Sequence, residues 1–209
     1  MTYEPVAVIR PPRGLATTAQ TLIVITTVVH AAATVGDWLR GWPTPVLTAL
    51  DYLVLFVAAG FFMAWLYQAW ANAAVIVAPR RMRWDRGWTI GSWFVPVGNF
   101  VLPCLVVLNV CDASSGWRTS SRRFVTLWWL LFLLAEIAGR GWFRTYAYQS
   151  VNGRVVSYRE QLYSLHSELP LWAIMTVVEA ASATLAVLLV RRVTGMQSAA
   201  AWSRAAATP

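Results

Sequence analysis

The chain has 209 residues, 58% of them hydrophobic and 12% charged, and its mean hydropathy is +0.53. That balance excludes an ordinary soluble domain and marks an integral membrane protein. The net charge of +8 comes from arginine alone, because no lysine occurs. The arginines cluster between apolar runs, which reads as a topology signal and argues against a nucleic-acid surface.

A polar tail, 1–14, leads into a first apolar run of about 15–35, long enough to cross a bilayer and better read as an uncleaved signal-anchor than as a cleaved leader. His30 sits in this run among Thr26, Thr27 and Thr34, where a satisfied polar residue and a functional imidazole are both open readings. The second run, about 46–71, begins after Thr44 and Pro45, a capping residue and a first-turn proline. Asp51, Leu55, Ala58, Phe62, Trp65 and Asn72 recur there at helical spacing, so one face carries an acid, aromatic rings and an amide. Asp51, two turns in, also suits the positive end of the helix dipole.

The third apolar stretch, about 87–110, reads GWTIGSWFVPVGNFVLPCLVVLNV and contains Pro96, Gly98, Asn99 and Pro103. Proline removes a backbone donor and clashes with the preceding turn, so this segment is expected to be broken or re-entrant. Cys104 and Cys111 are seven residues apart, about 10 Å on a helix, too far for a disulfide, and they form no metal motif. The run at about 124–141 contains LLFLLAEIAGRGW, with Trp129, Phe132, Glu136 and Arg140 on one face. Glu136 and Arg140 are four apart in the favourable order, so a structural ion pair competes with a chemical role. A loop of about 144–169 has the pattern of a short interfacial helix. The last run, about 171–190, places Trp172, Met175 and Glu179 on one face and follows Glu179 with AASA, small residues that let helices pack closely. A C-terminal tail occupies 192–209.

Arginine placement tests the topology. If 87–110 dips in and returns, Arg10, Arg13, Arg80, Arg81, Arg83, Arg86, Arg118, Arg122, Arg123, Arg191, Arg192 and Arg204 share one side, which the positive-inside rule makes cytoplasmic. If it crosses, the bias is weak, ten arginines against seven. The expected fold is therefore an all-α, polytopic transmembrane bundle, a single domain over 15–191, with four full spans and one proline-broken segment; five spans are the alternative. Trp38, Trp42, Trp84, Trp88, Trp117, Trp142 and Trp172 fall at the expected boundaries as an aromatic belt.

The stretch RWDRGWTIGSWFVPVGNFVLPCLVV, Arg83 to Val107, resembles the signature of an uncharacterised family of multi-pass membrane proteins common in actinomycetes, with a G-W-x-x-G-x-W-F-x-P-x-x-N-x-x-x-P core. Gly87, Trp88, Gly91, Trp93, Phe94, Pro96, Asn99 and Pro103 fit it, while CDAS at 111–114 departs where a tryptophan and an arginine are expected. AWANAAVI and LAVLLVRRVTGMQ extend the resemblance to about 46–197. It implies a multi-pass bacterial membrane protein and no activity; with the arginine placement, the expected location is the bacterial cytoplasmic membrane with a cytoplasmic N-terminus.

Chemistry must come from the ionisable groups hidden in the spans: His30, Asp51, Glu136 and Glu179. In the four-span topology all four reach the same half of the bilayer. The sharpest functional expectation is an intramembrane enzyme in which Glu136, Glu179 and Asp51 serve as general acid and base on an isoprenoid-type substrate. Trp65, Phe62, Trp129, Phe132, Trp172, Trp93, His30 and Asn99 would line the cavity, with aromatic faces shielding a carbocation. By features alone this is similar to the small integral-membrane terpene cyclases. Its expected partners are a lipophilic substrate and membrane lipid, with no nucleic acid, metal or cofactor. The alternatives are a small proton- or cation-coupled transporter and a non-catalytic assembly partner in which each acid is structural. No phosphate loop, H-E-x-x-H, calcium loop or G-x-S-x-G elbow occurs.

Overall fold

A computed structural model describes residues 8–40, 45–137 and 169–207, and all regular structure among them is helical. Three helices are long and apolar enough to cross a membrane. They are α1 (Arg13–Arg40, 28 residues), α2 (Pro45–Val77, 33 residues) and the last helix, α6 (Leu169–Ala205, 37 residues). At 1.5 Å per residue they measure about 42, 50 and 55 Å, each more than the roughly 30 Å of a hydrocarbon core. Between them come α3 (Trp88–Gly91), α4 (Leu102–Ser114) and α5 (Arg122–Leu134), with single 3-10 turns at Pro79–Arg81 and Gly98–Phe100. The fourth expected span begins as α5 and runs into a π-helical turn at 135–137; its remainder, with Arg140, and the expected interfacial helix lie outside the described residues. The expected C-terminal tail is largely helical, because α6 continues to Ala205 with Leu189, Val190, Val193 and Gln197 extending one buried stripe.

The chain separates into two compact units, one of residues 1–20, 59–127 and 187–209, the other of 21–58 and 128–186. In the first, side-chain bonds fix the helix directions. Along α2 and α6, Trp65 Nε1 donates to Thr194 Oγ1 at 3.1 Å, Gln197 Nε2 to the carbonyl of Ala69 at 2.8 Å, Asn72 Nδ2 to Gln197 Oε1 at 3.0 Å, and Arg204 Nη2 to the carbonyl of Val75 at 3.1 Å. Numbers rise together on both helices, so α2 and α6 are parallel. The entering chain runs the other way, with Arg10 at Asn72 and Gln20 at Arg191.

Parallel α2 and α6 require an odd number of crossings between them, which selects one of the two intervening apolar stretches. The 87–110 stretch is the one that turns back. Trp70 Nε1 donates to the carbonyl of Trp84 at 2.8 Å, and Trp93 stands edge-on to Phe62 at 6.1 Å. The chain has thus moved two turns back along α2 by Trp93. It reverses through Pro96–Val101 and returns along α4, where Asn109 Oδ1 accepts from the Arg83 amide and Ser114 Oγ from Gln197 Nε2. Both ends of the segment lie at the same end of the unit, and α4, at 13 residues and about 20 Å, is too short to span.

Local chemistry explains the reversal. Pro96 is followed by Val97 at φ +61°, a left-handed conformation that a β-branched residue rarely adopts, and by Gly98, where an added Cβ would meet Val95 Cγ1 at 2.8 Å and Leu102 Cδ1 at 2.9 Å. Gly116, also left-handed at φ +64°, closes α4: the Trp117 amide donates to the carbonyl of Asp112 and the Gly116 amide to that of Ala113. Asp112 Oδ1 then accepts the Ser121 amide at 2.8 Å and positions the start of α5.

Two outcomes test this architecture. Cysteines placed at Arg81, Ser120 and Ser203 are expected to react with an impermeant maleimide from one and the same side of the membrane; labelling of Arg81→Cys and Ser120→Cys from opposite sides would make 87–110 a true span. Gln197→Leu should lower unfolding stability by about 1–3 kcal/mol, because it strands the Asn72, Ser114 and Ala69 groups it now satisfies.

A candidate proton-holding site in the membrane

In the second unit two threonines of α1 are satisfied within their own helix. Thr26 and Thr27 donate to the carbonyls of Leu22 and Ile23 four residues earlier, which satisfies both hydroxyls within α1. Val24, Val28, Leu53, Phe56, Ile174 and Val177 point outward as exposed apolar residues, as a lipid-facing surface requires. Besides Ser182 of α6, what remains buried among the described polar residues is a cluster contributed by all three spanning helices: His30 from α1, Asp51 from α2 and Glu179 from α6.

His30 is the hub. Its Nδ1 lies 2.9 Å from Asp51 Oδ2 and its Nε2 lies 3.0 Å from Glu179 Oε2. The three side chains are 4%, 0% and 10% exposed, so water does not screen them. Each contact needs a hydrogen between nitrogen and oxygen. An imidazolium between two carboxylates provides both, and so does a neutral imidazole with one carboxylic acid. These arrangements hold the same number of protons and the same net charge of minus one, so a proton shifts between carboxyl and imidazole without changing the charge of the cluster. Along α6, Glu179 lies about 15 Å from the helix start and about 18 Å before Arg191, close to the middle of a 30 Å core. Among the described residues no group of His, Cys, Asp and Glu has the arrangement of metal ligands.

The other expected site residues divide into separate groups. Trp129 and Phe132 stack on α5 with centroids 5.2 Å apart, and Trp128 packs against both; these belong to the same unit as the cluster. Glu136 is half-buried in the π-helical turn after α5. The pairing expected for it, Arg140, and the side chain of Trp172 lie outside the described residues. Phe62, Trp65 and Trp93 form an aromatic group in the other unit, with Trp65 fully buried and hydrogen-bonded to Thr194. Asn99 belongs to that unit too, in the 3-10 turn after Gly98, with its amide on the carbonyl of Val95. Cys104 and Cys111 are both free and buried on α4.

Sequence reasoning ranked His30 below the acids, whereas the structure makes it the residue that joins them. The signal available was weak: a lone histidine ten residues before the end of α1 stands at the same axial depth as an aspartate early in α2, once the two are read as antiparallel neighbours.

A polytopic helical membrane protein with an imidazole–dicarboxylate cluster inside its spanning helices is thus what fold and site define. The chain belongs to the family described as a domain of unknown function (DUF4328), whose profile matches residues 13–195 and so takes in all three cluster residues. No curated protein and no solved structure matches it.

Removing the hub should cost more than trimming either acid. His30→Ala leaves two carboxylates buried without their shared partner and is expected to lower unfolding stability by about 3–5 kcal/mol. Asp51→Asn and Glu179→Gln keep a hydrogen-bonding oxygen and should cost clearly less, measured by thermal unfolding in detergent; equal losses for all three would mean that His30 does not bridge them.

Proposed function

We propose that the protein is an acid–base catalyst of the bacterial cytoplasmic membrane, in which the His30–Asp51–Glu179 cluster holds a proton and delivers it to a lipophilic substrate. The observation that supports this reading is the double pairing of His30 with carboxylates from two other spanning helices. Structural burial of charge needs one counter-ion; a three-group chain also provides a path along which a proton changes owner. Glu179, the most exposed of the three, is the donor, His30 the reservoir that reprotonates it, and Asp51 the group that orients and charges the imidazole. The aromatic stack of Trp128, Trp129 and Phe132 offers π faces to a developing cation. An acid that works where water is scarce suits substrates that partition into lipid and yield cations, and isoprenoid chains fit both requirements. The unit holding Arg10, Arg13, Arg80, Arg81, Arg83, Arg86, Arg118, Arg122, Arg123, Arg191, Arg192 and Arg204 faces the cytoplasm on this reading, by the positive-inside rule.

One observation favours a second reading. Both ring nitrogens of His30 are engaged and Asp51 is fully buried, so the cluster also has the form of a clamp that holds three helices together. Activity separates the two. Purified protein in detergent is incubated with linear, epoxidised and aryl-linked prenyl substrates, beside Glu179→Gln and Asp51→Asn, and products are resolved by mass spectrometry. The catalyst reading expects a cyclised isomer that Glu179→Gln reduces by at least about a hundredfold, the scale of a lost general acid, while the protein stays folded. A panel that no folded wild-type sample turns over leaves the clamp.

A further inference from the structure

The unit that contains Arg10 to Gln20, residues 59–127 and the end of α6 carries twelve arginines and, among its described residues, two acids, Asp85 and Asp112. Asp112 is already engaged by the Ser121 amide. Four of the arginines fall in two sequence pairs, Arg122–Arg123 on α5 and Arg191–Arg192 on α6, which meet through Phe124 and Arg192. Arg122 and Arg123 lie exposed in the first turn of α5; the guanidinium of Arg192 stands 6.0 Å from the ring of Phe124, the next residue; and Arg191 Nε donates to Gln20 Oε1 at 3.1 Å. None of the four pairs with a carboxylate among the described residues. This is a concentrated, uncompensated positive charge presented as guanidinium forks, a geometry that matches phosphate oxygens in pairs.

Its position names the source of the phosphate. Thr194 is bonded to Trp65, so Arg191 and Arg192, one turn earlier on the parallel helix, stand at the level of Phe62. Trp93 packs on Phe62, which sets the tip of the 87–110 hairpin at that level as well. The tip is apolar and bare: Phe94 is 72% and Val97 80% exposed, with Phe100 and Val101 exposed beside them. Arginines and an uncovered apolar loop at one level are what the boundary between headgroups and acyl chains asks of a protein, cations for the phosphates and hydrocarbon for the layer beneath. We propose that this band binds the headgroup phosphates of anionic phospholipids, with Arg122, Arg123, Arg191 and Arg192 as the phosphate ligands and the Phe94–Val101 tip seated among the outermost acyl carbons. The inference is independent of the catalytic reading, since it uses none of the cluster residues.

The full chain is reconstituted in nanodiscs of phosphatidylcholine containing a minority of phosphatidylglycerol, extracted gently, and its retained lipids are counted by native mass spectrometry. Wild type should retain phosphatidylglycerol over phosphatidylcholine, and the preference should fall with added salt. Arg122→Gln/Arg123→Gln/Arg192→Gln should lower it by about tenfold or more, and the corresponding triple lysine variant, which keeps the charge and loses the fork, should fall between. Equal retention of the two lipids by wild type overturns the proposal without recourse to any variant. So does thermal protection by inorganic phosphate, at matched ionic strength, equal to that by phosphatidylglycerol, which would mark a site for soluble anions.

Discussion

A hydrocarbon interior has no water to offer a charged group, and the spanning part of this protein is organised around that deficit. Asp51 and Glu179 enter it on different helices, and each would cost about 2.5–3.5 kcal/mol on insertion scales if left alone. His30 reaches both. For one imidazole to do so, α1, α2 and α6 must present the right face at the same axial level, which removes most of the freedom that apolar helices retain in lipid. The described outward surface is then largely apolar, as Val24, Val28, Leu53 and Phe56 show.

The two units solve the problem of buried polarity by different means. One uses neutral amides: Gln197 is fully buried and engages Asn72, Ser114 and the backbone of Ala69, and Asn72 in turn engages the backbone of Arg10. Such groups have one protonation state, so the network has one arrangement, suited to fixing helices in register. The other uses three ionisable groups in a row, whose proton has several resting places at equal net charge.

Much of the scaffold was legible in the residues. Three apolar runs became the three longest helices, the prolines and Gly98 broke 87–110 where expected, and the face of Asp51, Leu55, Ala58, Phe62, Trp65 and Asn72 is buried except at the half-buried Leu55. The twelve arginines that the positive-inside rule assigns to one side all fall in one compact unit. Periodicity fixes the face of a helix but not its rotation against a partner, so the sequence set His30 at the depth of the acids 21 and 149 positions away without joining it to them. The same limit hid Gln197: hydropathy ends the last span at the arginine pair, while the buried stripe continues past it on an alanine-rich stretch of high helix propensity.

The Asn72 side chain receives the amide of Arg10 at 3.0 Å and returns a hydrogen bond to the same residue's carbonyl at 2.9 Å. An amide side chain thereby imitates one rung of a β-ladder, reading the main chain and ignoring what it carries. Position 10 is therefore tolerant of almost any side chain except proline, which lacks the donor, but intolerant of a shift in length: inserting or deleting one residue between Ile9 and α1 would present a different peptide unit to Asn72. The leading segment is held by count, not by identity, and the drift permitted in its letters is denied to its spacing.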